Sequence, residues 1–462
     1  QRRRRRRPHR TMIDVRTAES CVAYNMIKMA RTLFSVGPDA RYADFVERAD
    51  LNAILGGQDP GDGRVSYMVP VGRGVQHEYQ DKFDSFTCCV GSQMEMHALH
   101  AYGIYNESRN KLWVSQYAPT TVDWTSQGIK LEMVTDLPMG DSATLKITSG
   151  KSKAFTLALR RPYWAGAGFS VKVNGRMLTN ISSPDTYIEI SRRWKVGDTV
   201  ELVLPKTLRK EPLPDNPNRM AIMWGPLVLA GDLGPEVNRR SHEDGHNPPE
   251  AAPALITAEQ NVDGWLKPVP GKPGVFRTVN AGLKEDIEFA PFYEMPRRRY
   301  AIYWDVFTPT DWANKSAAYQ AQEDSEKKLE AATIGFAQPG QMQSERDFAQ
   351  QGEDTTPVQL QGRYGRQGTN WFSYDLPVDP ASPATLVVTY SNDVRGRKGG
   401  FDVLVDGTRV GEQTMERRTP EQDVRFFDVK YPLPLDMVKG KQKVTVRFQA
   451  REGEVISGVF GI

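Results

Sequence analysis

The chain has 462 residues and three cysteines, two of them adjacent: Cys88 and Cys89 in FDSFTCCVGSQMEMHALHAYGIY, with Cys21 in TAESCVAYNM. Three is an odd number, so a framework of structural disulfides does not follow. A strained bridge between the adjacent pair and plain burial of thiols as small apolar side chains both stay open. Glu19, two positions before Cys21, adds a carboxylate, and the Glu-x-Cys and Cys-Cys pairs stand 67 positions apart. Three thiolates and one carboxylate form a four-donor set suited to tetrahedral zinc. Residues two apart on a regular helix point about 200° from each other, so the set requires both pairs to sit at irregular loop-to-helix junctions.

The elements around these residues change character along the chain. From 16 to 105 the apolar spacing is helical. Val22, Met26, Met29, Ala30 and Leu33 mark one face of a first helix, and SVGP ends it. Pro38 suits the first turn of a second helix with a stripe of Tyr42, Phe45, Val46 and Ala49, and Gly56 and Gly57 stop it. A third helix is expected from about Ser92 to Tyr105, with Met94, Ala98, Leu99 and Tyr102 turned inward. The segment reads as purely helical.

After Asn106 the period becomes two. KLWVSQY, GIKLEMV, AFTLALR, FSVKVNG and TVELVLP are short alternating runs between turn residues, so 106–214 reads as a β-sandwich. A smaller β domain is expected over 215–307, and the Ala-, Glu- and Lys-rich stretch 308–333 reads as a linker helix. Alternation returns over 334–462, a second sandwich of a type often used to bind carbohydrate. Residues 1–15, opening QRRRRRRPHR, read as a disordered arginine-rich start. A nucleic-acid arm and a misread or truncated reading frame are the alternatives there, and no basic or aromatic surface follows nearby to support the arm.

Lys plus Arg is 60 and Asp plus Glu is 57, a formal charge of +3, so no global field selects nucleic acid or membrane. No run approaches the roughly 20 apolar residues of a membrane span. No secretory signal is recognisable, because the basic start lacks an apolar core behind it. His97 and His100, one helical turn apart, read as packing or hydrogen-bonding residues. HEYQ at His77 lacks the second histidine of a zinc-protease motif.

AESCVAYNMIKMARTLF, DARYADFVERADLNAILGGQDPGDGRVSYMVP and DSFTCCVGSQMEMHALHAYGIY together resemble the closing part of the catalytic domain of β-L-arabinofuranosidases, glycoside hydrolase family 127 and its relatives. The likeness continues through ALRRPYWAG, VKVNG and MWGPLVLAGDLG. It implies a multidomain α+β chain: the remnant of an (α/α)6 barrel over 16–105, followed by β-sandwich domains. It also implies zinc on Glu19, Cys21, Cys88 and Cys89, with Cys88 the nucleophile and Glu47 and Tyr67 contacting the sugar. Partners would be arabinose-containing glycans, and many relatives are exported, which favours a secreted or periplasmic setting.

Two departures matter. Ser20 stands where the family usually has threonine, and the hydroxyl is kept. The family's general acid/base glutamate, about sixteen positions before the zinc glutamate, falls here in the arginine run. The expectation is therefore a retaining zinc-thiolate glycosidase, truncated and inactive or nearly so as it stands. A glycan-binding protein and a zinc-stabilised structural domain are the other readings.

Overall fold

A computed structural model describes residues 18–214, 216–236, 252–283, 285–360, 363–392, 399–415 and 426–462. The arginine-rich start at 1–15 lies outside them. The chain forms two compact units, one ending at Glu323 and one starting at Asp324.

The first unit begins with three α-helices: α1 (Ser20–Val36), α2 (Ala40–Ala49) and α3 (Cys88–Ala98). Asp39 caps α2 by accepting the Arg41 amide, which satisfies one of the free N–H groups at the helix start. Past Ala49 the helix widens into a π-turn, Asp50–Ile54. There Asn52 bonds the Val228 amide and the Pro226 carbonyl, tying the widened turn to the β layer. Tyr24, Ile27, Ala30, Val46, Ala49, Ile54 and Met96 form the small helical core. Burying a side chain such as Ile27 contributes roughly 1.5–3 kcal/mol.

The helix faces differ from expectation. Val22, Met26, Met29 and Leu33 are exposed; of the expected face Ala30 alone is buried, and α1 buries Cys21, Tyr24, Ile27 and Phe34 beside it. The cause is that α1 carries apolar residues on more than one side. Phe34 decides the orientation by meeting Trp113 and Tyr187 of the sandwich edge-on. On α3 the buried side chains are Cys89, Gln93 and Met96, while Met94 and Tyr102 are exposed. The segment is also not purely helical, because Arg73–Val75 is a β-strand. Three helices are not a barrel; the observed class is predominantly β, with a helical segment in front.

The sandwich packs a four-stranded sheet on a six-stranded one. The four-stranded sheet runs Thr186–Trp194, Lys153–Arg161, Lys111–Val114, Tyr105–Ser108, with its middle pair parallel. Alternating inward residues such as Leu131, Leu145, Leu157, Val171 and Trp194 fill the space between the sheets. A ten-stranded sheet follows, drawing mainly on 208–307, and Arg73–Val75 joins it by pairing with Arg298–Ala301. The helix Pro309–Ala332 leads into the second unit. That unit is an eight-stranded β structure around Phe372, Tyr374, Tyr390, Phe401 and Phe448. No helix among the described residues is long and apolar enough to cross a membrane.

Candidate metal centre

Glu19 precedes α1 in extended conformation, with φ −82° and ψ 125°, and Cys21 lies in the first helical turn. This break in helical geometry frees the pair from the 200° divergence of a regular helix, and the Cys21 thiol donates to Glu19 Oε2 at 3.3 Å. Cys88 and Cys89 open α3 behind Thr87, which is likewise extended. α1 and α3 meet at their N-termini, where Cys88 Sγ stands 3.4 Å from Cys21 Sγ. One donor atom from each of Glu19, Cys21, Cys88 and Cys89 lies within 4.8 Å of all the others. Free N–H groups at both helix starts favour negative charge there.

Burial differs sharply among the thiols. Cys89 is fully buried and Cys21 nearly so, while Cys88 is exposed. Burial pushes the Cys21 thiol well above its ordinary value, and its neighbours Cys88 and Cys89 add to the effect. Burial raises Cys89 too, with Ser20 and the Cys21 amide opposing the rise. Tyr67 is placed beside this group by local pairing. Glu19 bridges Met68, and the Val69 amide bonds the Ala18 carbonyl at 2.8 Å, so the chain around Tyr67 runs alongside the start of α1. Burial, with the nearby Glu19 charge, raises its phenol far above the usual tyrosine value.

The donor set fits zinc. A tetrahedral shell with Zn–S near 2.3 Å separates thiolate sulfurs by about 3.8 Å, and the 3.4 Å between Cys88 and Cys21 is close to that before any metal draws on the thiolates. Thiolates also select zinc over the hard cations that prefer all-oxygen shells.

Glu47 is not part of this group. Its carboxylate faces the sandwich, accepting from Arg160 Nη2 at 2.6 Å and from Trp164 Nε1 at 2.7 Å. Arg160 is fully buried and pairs with Asp44 as well. Burial pushes Asp44 up to about 7, with Arg160 opposing the rise and Glu47 adding to it. His97 and His100 form a hydrogen-bonded chain ending on Asp50, at 2.9 and 3.1 Å, in keeping with the structural reading of the pair. His77 is buried against Tyr79, Phe292 and Tyr300, and burial pushes it down to about 4.

Sequence reasoning missed Ser20, Gln93 and Ser66, which hydrogen-bond in the buried interior, and Arg160. Only Arg160 left a signal, as a charge ending the apolar run FTLAL.

Residues 5–101 match the profile described as β-L-arabinofuranosidase, GH127 catalytic domain, and residues 111–206 match the middle domain of the same family. Residues 209–306 and 328–462 match two domains of unknown function. Comparison with curated proteins gives no match. A solved structure named as a glycoside hydrolase aligns over 64% of this chain and 54% of its own, with 20% identity and a TM-score of 0.52, which shows a shared fold. A GH127 β-L-arabinofuranosidase from Geobacillus stearothermophilus T6 aligns over 64% and 51%, with 20% identity and a TM-score of 0.48. A family 35 carbohydrate-binding module from Clostridium thermocellum aligns over 28% of this chain and 95% of its own, with 12% identity and a TM-score of 0.21. The chain spans about half the length of the solved glycosidases it matches.

Proposed function

We propose that this chain, which belongs to the β-L-arabinofuranosidase family glycoside hydrolase 127 through residues 5–101 and 111–206, is a retaining glycosidase. It would release terminal β-L-arabinofuranosyl groups from arabinose-containing glycans, with Cys88 as nucleophile and zinc held by Glu19, Cys21, Cys88 and Cys89. One observation carries this reading: Cys88 is the exposed member of a converging donor set whose other two thiols are buried. A sugar therefore reaches one sulfur.

Bound zinc would supply the positive charge that removes the thiol protons at neutral pH. Cys88 Sγ then attacks the anomeric carbon as the bond from that carbon to the leaving oxygen breaks. The leaving oxygen takes a proton from a general acid. Water later displaces the sulfur from the same carbon, and two inversions give retention. Tyr67, whose phenol burial keeps protonated, would donate a hydrogen bond to the sugar. The family's position for the acid falls in the arginine run, outside the described residues, so we propose slow turnover that favours leaving groups needing little protonation. Glu47 is held by Arg160 and Trp164, so we assign it first to seating α2 on the sandwich. The apolar residues α1 carries on two sides support placing α1–α3 in the wall of an (α/α)6 barrel.

The test is labelling. A mechanism-based probe of β-L-arabinofuranosyl configuration, added to zinc-loaded protein, should put one sugar mass on the peptide containing Cys88 and none on Cys88→Ser. Zinc bound at this site without any adduct would make it a structural metal and sink the glycosidase reading. Oligosaccharide binding with neither zinc nor adduct would favour a glycan-binding protein.

A further inference from the structure

Between the helical segment and the sandwich lies a cavity of about 370 Å³, a size that holds small molecules. It is separate from the cysteine cluster: Arg31, in its wall, lies roughly 15 Å along α1 from Cys21. Phe34, Tyr42, Val46, Leu99 and Tyr102 give it apolar and aromatic walls, and Asn106, Ser115 and Gln116 add polar groups. The charged residues lining it are Lys28 and Arg31, both cations.

Arg31 is held firmly while its charge stays uncompensated. Its Nη2 donates to the Leu99 carbonyl at 3.3 Å, its guanidinium lies 5.3 Å from the centre of the Tyr102 ring, and its Nε is buried without a partner. Gly103, at φ +86°, lets the loop close on this side chain, since a Cβ there would lie 3.4 Å from Nε. Among the described residues no carboxylate comes within ion-pair distance of Arg31. Asp50, whose charge acts on it from further off, bonds His100 Nδ1 at 3.1 Å instead. Lys28 is exposed and faces Glu95 at 3.7 Å, so Arg31 is the cation left over. A partly buried charge of this kind is costly until an opposite charge meets it.

The polar groups are open as well. Asn106 donates its Nδ2 to Ser115 Oγ at 3.1 Å, and its Oδ1, like the Tyr42 hydroxyl, bonds to no described residue. Gln116 is fixed by donating to the Ala43 carbonyl at 2.8 Å.

We propose that this cavity binds an acidic sugar, a hexuronate-type ring whose carboxylate pairs with Arg31. A guanidinium matches a planar carboxylate through two parallel hydrogen bonds. One such cation balances the single charge of a carboxylate and undercompensates the nearly double charge of a phosphate. Aromatic rings are apolar bodies against which the C–H face of a sugar can lie, and the sugar hydroxyls would satisfy Asn106 Oδ1 and the Tyr42 hydroxyl. A purely aromatic acid would leave those two unpaired. None of the lining residues belongs to the Glu19, Cys21, Cys88 and Cys89 set, so the inference stands apart from the zinc reading.

The test is calorimetric titration of the 462-residue protein with galacturonate, galactose, benzoate and inorganic phosphate. Galacturonate should bind saturably, and at least about tenfold more tightly than galactose, which carries a neutral CH2OH in place of the carboxylate. Benzoate and phosphate should each bind more weakly than galacturonate. Arg31→Gln should bring galacturonate down to the galactose level, and Tyr102→Ala, at an exposed position, should weaken it about threefold or more. No saturable binding of galacturonate by the folded parent overturns the site, as does undiminished binding in Arg31→Gln. Tighter binding of benzoate or phosphate overturns the acidic-sugar assignment. Should Arg31→Gln fail to fold, Tyr102→Ala decides, and unchanged binding there overturns the proposal. Labelling at Cys88 is read separately, so failure here leaves the glycosidase reading as it was.

Discussion

The unit ending at Glu323 buries two clusters of ionisable side chains and balances them by opposite means. Around Arg160, one guanidinium faces the carboxylates of Asp44 and Glu47, so the chain supplies its own counter-charge. Around Cys21, none of the groups acting most strongly on Cys21, Cys89 or Tyr67 is a cation. These groups stay neutral by keeping their protons. The first cluster is complete once the chain folds, whereas the second, on the proposed reading, would be completed by a cation taking the place of those protons. Charge compensation from within makes a joint, and charge compensation left open makes a site.

The largest effect expected from breaking this contrast is on metal content. Elemental analysis should find about one zinc per parent chain and almost none in Cys21→Ser. The converse change is Arg160→Met, which leaves two carboxylates in the joint without their cation. Denaturant unfolding should then show a loss of about 3–5 kcal/mol, with zinc content unchanged. Should Arg160→Met strip the zinc as well, the two clusters are not independent.

A pH titration sharpens the comparison. Asp44 has a folded value of about 7 against 3.8 for the free group, so the folded chain holds this proton more tightly than the unfolded one. The stability it contributes is fully present below pH 3.8 and is lost as the pH rises through about 7. Asp44→Asn should flatten stability across that window, and an unaltered slope would show that the carboxyl is not perturbed. The smallest effect is expected at the exposed face of α1. Met29→Lys should shift stability by no more than about 0.5 kcal/mol, as read by denaturant unfolding.

The convergence of Glu19 with the three cysteines was legible because cysteine is rare in this chain and zinc chemistry restricts which residues can assemble. Tyr67 was named only through family likeness; what sets its stretch of chain alongside the start of α1 is a short bridge between Glu19 and Met68 that no periodicity announces. Ser20 and Gln93 are ordinary residue types, and burial is what marks them. Glu47 was legible as a candidate, but its partner lies 113 positions away in a strand. The alternating runs of 106–214 read correctly as strands, since one face of each is buried. The faces of α1 did not, because apolar residues circle the helix and only contact with the sandwich chooses among them.

The short strand Arg73–Val75 lies within the segment matching the catalytic profile, yet it is woven into a sheet drawn mainly from 208–307. Tyr300 doubles the stitch by donating its phenol to the Pro70 carbonyl at 2.8 Å. The helical segment and that sheet therefore cannot be exchanged as cassettes. A chimera joined at 105/106 would give one parent a sheet lacking an edge and the other a strand with nothing to pair with, so recombination in this family should keep the two together as a single inherited block.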